Sequence, residues 1–514
     1  MNKKIFTVKG YLLDDEQREI VKSKAKNILV IAGAGSGKTL TIVGKIKYLI
    51  KVIKLNKEEI LCISFTNDSC NSLKSSILKE LGCNVDVLTF HKLALNILKD
   101  NNLNYFVAEN SLLKFVVSEF INYVFVNDSF YKIVVLRYFG FTLLFRNVNV
   151  LYENLLVTRK KDVDMLINKI CTFIKLFKSS GKDYQYLSDI FNKEKNKLFN
   201  RNNVFFLILV VKLLYEYELE LSSAGKVDFD DMIRNAAKIV NTTGKGYKYK
   251  YVIIDEFQDT SFARYNLVKN LLIKTNANFM AVGDDYQSIY RFSGCELGLF
   301  LNFNKFFDDC KVYKIQTTYR NSLDLIKICE KFIKVNHDQL DKKLRSNISL
   351  CKPIKIIYYI DQKKTFFNLI KYLYNLGVRN IMVLGRNNNN LYDVFSDAFF
   401  IDGENFLSLV GFDDLKIRYL TVHKSKGLEE ACVIVVSLID DVWGFPNKKK
   451  NERIFNYVVL GKERCPYSEE RRLFYVALTR TKSYVYLLVD KRNPSIFVKE
   501  IIKENFPNIE IINI

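Results

Sequence analysis

Histidine, paired cysteines and long apolar runs are scarce in this 514-residue chain, and each shortage narrows the possible functions. Three histidines and ten cysteines without a C-x-x-C pair indicate neither a zinc site nor a disulfide framework, so we expect reduced thiols. The longest apolar run, residues 204–211, falls far short of the about 18 residues that span a bilayer. Residues 1–10 lack the apolar segment of a secretion signal. We therefore expect a cytoplasmic protein without a membrane partner.

Acidic residues are also few relative to basic ones. The chain has 78 Lys and Arg against 56 Asp and Glu, a formal net charge of +22. Such an excess favours a polyanionic partner, most simply nucleic acid. A lysine bias from an AT-rich genome, which the many Asn and Ile residues also suggest, explains the same excess. Charge alone leaves both explanations open.

A glycine-rich turn organises the chain at residues 28–39, which read I-L-V-I-A-G-A-G-S-G-K-T. Its glycines are Gly33, Gly35 and Gly37. They let backbone amides face inward, and these amides form a phosphate socket with the N-terminus of the following helix. Lys38 can reach terminal phosphates, and the Thr39 hydroxyl can hold magnesium. Ala32 replaces the first glycine of the G-x-x-x-x-G-K-[ST] pattern. The prediction of a phosphate-binding loop therefore depends on its position between an apolar strand and a following helix.

A second apolar strand ends in acids, at residues 251–260, Y-V-I-I-D-E-F-Q-D-T. Asp255 at the strand end can hold magnesium directly or through a water, and Glu256 can accept a proton from an attacking water. Acids after a buried strand, in a chain that also has a phosphate loop, predict a nucleotide hydrolase.

Two more strands, residues 60–65 and 85–89, end in an aromatic residue beside small polar groups. At the carboxyl ends of parallel strands, such residues suit a groove that stacks bases and holds phosphates. A strand at 279–283 precedes D-D-Y-Q-S-I-Y-R-F, in which Gln287 could sense a terminal phosphate.

Two isolated arginines in the second half, Arg320 and Arg480, could neutralise a phosphoryl group across a domain cleft. Tyr290 and Phe292 could stack on bases. Taken singly, each aromatic residue is explained equally well by ordinary packing, and a surface salt bridge explains each arginine better than a phosphate contact does.

Nine motifs in order resemble those of superfamily 1 DNA helicases of the UvrD/Rep type, with the helicase IV group the most similar. They are L-D-D-E-Q-R-E, A-G-A-G-S-G-K-T, S-F-T-N, T-F-H, I-D-E-F-Q-D-T-S, V-G-D-D-Y-Q-S-I-Y-R-F-S-G, T-T-Y-R-N-S, T-V-H-K-S-K-G-L-E and E-E-R-R-L-F-Y-V-A-L-T-R-T. The resemblance runs from residue 12 to about residue 490 and includes the alanine at position 32.

The resemblance implies an α/β fold of two RecA-like P-loop NTPase domains, parallel sheets flanked by helices, with a helical insertion in the first. The expected first domain comprises residues 1–91 and 226–285, interrupted by the insertion at 92–225. The expected second domain is 286–514. Larger relatives insert a whole domain where this chain has only residues 387–418, so that domain is expected to be absent or vestigial.

The resemblance also implies site residues, with ATP and Mg²⁺ as cofactors. The implied catalytic residues are Lys38, Asp255, Glu256, Gln287, Arg320 and Arg480. The implied ATP-binding residues are Gln17, Ala32, Gly33, Ala34, Gly35, Ser36, Gly37, Lys38, Thr39, Tyr319 and Glu429, with Thr39 and Asp255 holding the metal. The implied DNA-binding residues are Phe65, Thr66, Asn67, Thr89, His91, Tyr290, Phe292 and His423.

The function so implied is an ATP-dependent helicase that moves 3′ to 5′ on single-stranded DNA and unwinds duplex, binding single strands and single-strand/duplex junctions. Two alternatives stay open: a translocase that displaces proteins but unwinds poorly, and a helicase-like binding subunit that does not hydrolyse ATP. Leu40 stands where many relatives have an arginine near the nucleotide, so adenine selectivity is expected to be looser. A protein partner in a repair, replication or defence complex also stays open.

Overall fold

The computed structural model describes most of the chain. The described residues are 3–143, 147–197, 201–244, 246–396, 398–401, 406–409, 411–449, 452–459, 461 and 463–514. Among them, no helix is both long and apolar enough to cross a bilayer.

The first domain is split by the insertion. Its elements before the insertion are β1 (Thr7–Val8), β2 (Tyr11–Leu12), α1 (Asp15–Lys22), β3 (Asn27–Ala32), α2 (Lys38–Lys51), β4 (Ile60–Ser64), α3 (Asn67–Leu81), β5 (Asp86–Thr89) and α4 (Phe90–Asp100). The insertion contains β6 (Phe106–Val107), α5 (Leu112–Glu119), α6 (Ser129–Tyr138), α7 (Val148–Thr158), α8 (Lys160–Ser179), α9 (Tyr184–Lys195), α10 (Arg201–Ser223) and β7 (Lys226–Val227). The elements after it are α11 (Phe229–Thr242), β8 (Tyr251–Ile254), α12 (Phe262–Thr275), β9 (Asn278–Gly283), α13 (Gly298–Leu301), α14 (Phe303–Phe306) and β10 (Cys310–Ile315).

The first sheet is parallel throughout, in the order β10-β3-β9-β8-β4-β5. Alternate side chains of β3 enter two different cores: Leu29 and Ile31 pack on one face, and Ile28 and Val30 on the other. A strand covered by helices on both faces must be apolar at every position, which explains the unbroken aliphatic run. The carboxyl ends of β3, β4, β8 and β9 meet at one edge and carry the polar motifs there.

The second domain is built on an eight-stranded sheet. Its elements are α15 (Leu323–Lys334), β11 (Ile354–Tyr359), α16 (Gln362–Asn375), β12 (Asn380–Gly385), α17 (Asn390–Val394), β13 (Phe399–Ile401), β14 (Phe406–Leu409), β15 (Lys416–Thr421), β16 (Glu430–Leu438), α18 (Ser468–Leu478), β17 (Thr481–Asp490), α19 (Ile496–Asn505) and β18 (Ile509–Ile511). The strand order is β13-β14-β15-β12-β16-β17-β11-β18. Its strands run parallel except β14, which pairs antiparallel with both β13 and β15.

One domain boundary differs from those expected from the sequence. The expected boundary after residue 285 is too early for the sheet topology, because β10 pairs with β3 in the first sheet. In the expected vestige, 387–418, the structure has α17, β13, β14 and the start of β15. Residues 397, 402–405 and 410 within it lie outside the described residues.

A segment between β16 and α18 leaves the second domain and packs on the insertion. We call residues 452–459 the strap. Ile454 and Val458 of the strap are buried in the hydrophobic core of the helical insertion. The Tyr457 hydroxyl donates to Glu194 Oε1 at 2.5 Å, and the Tyr186 hydroxyl donates to the Tyr457 carbonyl at 2.8 Å. The strap therefore joins the insertion to the second domain.

Candidate nucleotide site and adjoining groove

The phosphate loop connects β3 to α2, which begins at Lys38. Gly35 and Gly37 have φ of 69° and 78°, in the left-handed region that favours glycine. A Cβ on Gly35 would lie 2.4 Å from Arg320 Cβ, and one on Gly37 would lie 2.7 Å from Gln17 Nε2. Both glycines are therefore required by conformation and by close approach.

Gln17 lies beside this loop, on α1. Its Nε2 donates to the Ser36 carbonyl at 3.1 Å, and its Oε1 accepts from the Asp14 amide at 3.2 Å, closing a capping box. Both the nitrogen and the oxygen of the Gln17 side-chain amide are therefore already hydrogen-bonded. To recognise an adenine edge, Gln17 would have to break these two hydrogen bonds.

The two acids follow β8 at the same edge of the sheet. Lys38 Nζ donates to Glu256 Oε1 at 2.8 Å, and Gln258 Nε2 donates to Glu256 Oε2 at 2.5 Å. Glu256 has φ of 54°, a left-handed conformation that non-glycine residues adopt at a cost in free energy. Lys426 of the second domain lies 3.8 Å from Glu256 Oε2.

The charges around these acids shift their pKa values in opposite directions. Burial raises the pKa of Glu256, but the positive charges of Lys38 and Lys426 outweigh it and lower that pKa overall. Burial, followed by the negative charge of Glu256, raises the pKa of Asp255 to about 6. A carboxylate at Asp255 and a hydroxyl at Thr39 form an oxygen donor set of the kind Mg²⁺ prefers, so these residues fit that metal.

A hydrogen-bonded chain links both domains beside the acids. Gln287 Nε2 donates to Asp284 Oδ2 at 2.6 Å, and Arg480 Nη2 donates to Gln287 Oε1 at 3.2 Å. Arg480 is buried, and burial together with the nearby charge of Arg320 lowers its pKa to about 9. Gln287 and Arg480 thus contact each other although 193 positions separate them in the chain.

The segment that links the two sheets carries Tyr319 and Arg320. The Tyr319 amide donates to the Gly35 carbonyl at 3.0 Å, and its hydroxyl donates to Asp14 Oδ2 at 2.9 Å. Arg320 Nε donates to Glu429 Oε2 at 2.5 Å. The structure therefore gathers the residues expected at the nucleotide around the phosphate loop.

A groove of aromatic side chains adjoins this site. Phe65 stacks on Tyr290 with ring centroids 5.6 Å apart and an interplanar angle of 8°. His423 of the second domain lies 5.3 Å from the Phe292 ring and 6.3 Å from the Tyr290 ring. Phe292 is 58% exposed, which leaves a ring face open for stacking. Burial, and then the charges of Arg386 and Lys426, lower the pKa of His423 to about 4, so it is neutral at pH 7.

The other residues that are expected to bind DNA also make contacts within the protein. The Thr66 and Thr89 hydroxyls cap α3 and α4, accepting from the Ser69 and Lys92 amides at 3.1 and 3.2 Å. Asn67 is the first residue of α3. The His91 ring lies 4.8 Å from that of Phe229. Burial, with the nearby charge of Arg264, lowers the pKa of His91 to about 4.

Sequence reasoning missed two side chains of this region. The guanidinium of Arg264 lies 4.6 Å from the Phe65 ring centroid, on a helix that no motif marks. Lys426 donates to the Gln287 carbonyl at 2.7 Å and pairs with Asp259. Its position within T-V-H-K-S-K-G-L-E is the signal that could have found it, although the motif alone gives that lysine no role.

Two parallel-sheet domains, one with a phosphate loop and acids and the other presenting an arginine to them, define the class: a P-loop NTPase of two RecA-like domains. The family model for the UvrD/REP helicase N-terminal domain matches residues 13–308, and that for the UvrD-like helicase C-terminal domain matches residues 407–492. The chain belongs to the UvrD/Rep helicase family.

Individual relatives are similar over most of this chain. DNA helicase IV of Escherichia coli (strain K12) is 27% identical over 504 residues, which cover 96% of this chain and 70% of the relative. A probable DNA helicase of Mycoplasma pneumoniae is 26% identical over 519 residues, covering 96% of this chain and 87% of the relative. The ATP-dependent DNA helicase PcrA of Bacillus subtilis is 27% identical over 356 residues, covering 68% of this chain and only 42% of that longer relative.

Proposed function

We propose that this chain is an ATP-dependent DNA helicase that couples hydrolysis to 3′–5′ movement along single-stranded DNA. Family membership and the names of its relatives support the helicase activity. The direction of movement rests on the resemblance alone.

One observation carries the coupling: two short segments, one from each side of the cleft, connect the nucleotide site to the groove. In the first, Gln287 contacts Arg480 while Tyr290, three residues later, stacks on Phe65. In the second, His423 lies on the groove while Lys426, three residues later, pairs with Asp259 beside the acids. In each segment, only three positions along the chain separate a residue at the nucleotide site from a residue at the groove. A structural change at the phosphates can therefore move the residues that contact the bases.

The proposed cycle begins when ATP enters and Lys38 leaves Glu256 for the terminal phosphates. Arg320 and Arg480 neutralise charge on the γ-phosphate, and Glu256 accepts a proton from the attacking water. Thr39 and Asp255 would hold Mg²⁺, which when bound would supply positive charge near the phosphate oxygens. Loss of the γ-phosphate removes the anion that both domains bind, so the domains separate and the grip on the strand changes.

A second candidate function is translocation with displacement of bound proteins but little unwinding. The short region between β12 and β15 favours it, because its described part holds only one helical turn and two short strands where larger relatives insert a domain. Such a chain has less surface with which to hold a duplex at the junction.

The test is ATP hydrolysis by the purified chain with and without single-stranded DNA at fixed low salt, with Lys38→Ala as the inactive control. Strong stimulation by DNA supports the proposal, and no hydrolysis in either condition refutes it. Duplexes with a 3′ or a 5′ tail then test polarity. Displacement of streptavidin from biotinylated strands, without strand separation, would select the translocase.

A further inference from the structure

A buried lysine outside the motifs lies between the two domains. Lys342 belongs to the segment between α15 and β11, and its side chain is 1% exposed. It pairs with Asp284 and lies 2.5 Å from Asp285 Oδ1, and both carboxylates are fully buried. Its Nζ also lies 3.7 Å from the Tyr286 ring centroid. Lysine is seldom buried this completely unless it is paired.

The carboxylate that Lys342 contacts orients the Gln287 amide. Asp284 Oδ1 accepts from Lys342, and Asp284 Oδ2 accepts from Gln287 Nε2 at 2.6 Å. An ionised carboxylate can only accept hydrogen bonds, so it binds the amide nitrogen and directs Gln287 Oε1 away. That oxygen faces Arg480 Nη2 at 3.2 Å. Lys342, Asp284, Gln287 and Arg480 therefore form one continuous chain.

The backbone around Lys342 is fixed on both sides. The Leu340 amide donates to Asp285 Oδ2 at 2.8 Å, and the Arg345 carbonyl accepts from the Thr318 amide at 2.8 Å. Leu344 packs over the phosphate loop so closely that a Cβ on Gly33 would lie 2.6 Å from its Cδ2. These contacts fix the backbone on each side of Lys342 and so hold its ammonium against Asp284 and Asp285.

We propose that Lys342 is a positioning residue that acts through Asp284 to orient the Gln287 amide, and with it Arg480, toward the γ-phosphate of ATP. The inference rests on the proposed ATPase function. Burial alone would lower the pKa of Lys342, but the charges of Asp284 and Asp285 outweigh it and raise that pKa, so the ammonium stays charged. The competing explanation is purely structural: Lys342 only neutralises two buried acids.

The decisive experiment is a double-mutant cycle between Lys342→Met and Gln287→Ala. If Lys342 acts through Gln287, Lys342→Met lowers the DNA-stimulated kcat by about 100-fold, the loss that a displacement near 1 Å can cause. In the Gln287→Ala background it then lowers kcat no further. Losses that multiply in the double variant would overturn the proposal.

Nucleotide preference gives a readout that does not require turnover. Isothermal titration measures the affinities for ATPγS and ADP, which differ by the γ-phosphate contacts. We expect Lys342→Met to lower the preference for ATPγS by about tenfold, the value of one charge-assisted hydrogen bond, and to leave ADP binding unchanged. If the wild-type chain binds nucleotide without hydrolysing it, the proposed function is refuted. The nucleotide preference still tests the role of Lys342 in that case, because it requires binding and not turnover.

Two further variants separate positioning from folding. Lys343, the next residue, is exposed, so Lys343→Met is the matched control and is expected to retain wild-type kcat and preference. Lys342→Met combined with Asp285→Asn restores the net charge of the buried cluster without restoring the contact to Asp284. Persistence of the kcat loss in this charge-balanced variant, with wild-type thermal stability, supports positioning. Recovery of kcat in it would show that Lys342 only balances charge and would overturn the proposal.

Discussion

Replacing Glu256 by Gln should separate ATP binding from hydrolysis. The carboxylate is held by Lys38 at 2.8 Å and by Gln258 at 2.5 Å, so an amide of the same size fits the same space. Removal of a general base typically costs about 100- to 10,000-fold in rate, and we expect kcat to fall within that range. ATP should bind more tightly to the variant, because in the wild-type chain ATP must first draw Lys38 away from Glu256.

The size of that improvement follows from the ion pair between Lys38 and Glu256, which the substitution removes. A hydrogen bond between charged groups contributes about 1.5–3 kcal/mol, and each 1.4 kcal/mol corresponds to about tenfold in Kd. We therefore expect the Kd for ATP to fall by about tenfold in Glu256→Gln. Lys38 and Glu256 are 14% and 21% exposed, so solvent weakens their pair and this value lies at the low end of the range.

The assay combines DNA-stimulated steady-state hydrolysis with equilibrium titration of ATP under non-hydrolysing conditions. The control is Glu58→Gln, an exposed acid at the opposite end of the sheet, before β4. A kcat within tenfold of wild type would reject Glu256 as the base. An ATP affinity that weakens instead of tightening would reject the competition between Glu256 and the phosphates for Lys38.

Three other changes test the groove, a buried charge and the strap. Phe292→Ala should weaken single-strand binding by about 1–3 kcal/mol, because it removes a stacking surface; fluorescence anisotropy at matched salt measures this, and unchanged binding would reject the stacking role. Burial lowers the pKa of Lys45 to about 8. Folding therefore favours neutral Lys45, and its stability contribution is complete above the unfolded pKa of 10.5 and is lost as pH falls through 8. The unfolding free energy of wild type minus that of Lys45→Met should therefore rise by about 3 kcal/mol between pH 8 and pH 10.5, and a flat difference in urea unfolding would contradict the shift. Val458→Asp places a charge in the core of the insertion and should speed hydrogen exchange in α8 and α10, while Asn456→Asp, which adds the same charge at an exposed position of the strap, should not; equal protection in both variants would show that the strap does not stabilise the insertion.

Much of the fold was predictable because its central strands are buried on both faces. The expected strands at 28–31, 251–254 and 279–283 correspond to β3, β8 and β9. The strand β10 was not predicted: it reads C-K-V-Y-K-I, lies at a sheet edge and buries only two of its six residues. An edge strand needs no continuous apolar run, so hydrophobicity does not mark it.

The candidate site was predictable where chemistry demands a particular residue type in a fixed motif. Gln287, Arg320 and Arg480 were singled out that way, and the structure brings them to one cleft. Lys342 and Arg264 carried no such signal, because a chain with 78 basic residues gives no reason to select one of them. Only tertiary contacts distinguish a buried, paired lysine from a solvated one.

The strap restricts how the two domains can separate. It leaves the second domain, buries Ile454 and Val458 in the core of the insertion, and then continues toward the groove. There the Gly461 carbonyl and the Glu463 carboxylate accept from Arg291, at 2.5 and 3.2 Å. Arg291 lies between the groove residues Tyr290 and Phe292. Rotation of the second domain away from the first must therefore carry the insertion with it, release the strap, or pull on the groove at Arg291. The first course keeps the buried apolar contacts of the strap and the Arg291–Glu463 pair. It must break the pairs of Lys178 in the insertion with Asp228 and Asp231 of the first domain, and it moves the insertion and the second domain together relative to the phosphate loop.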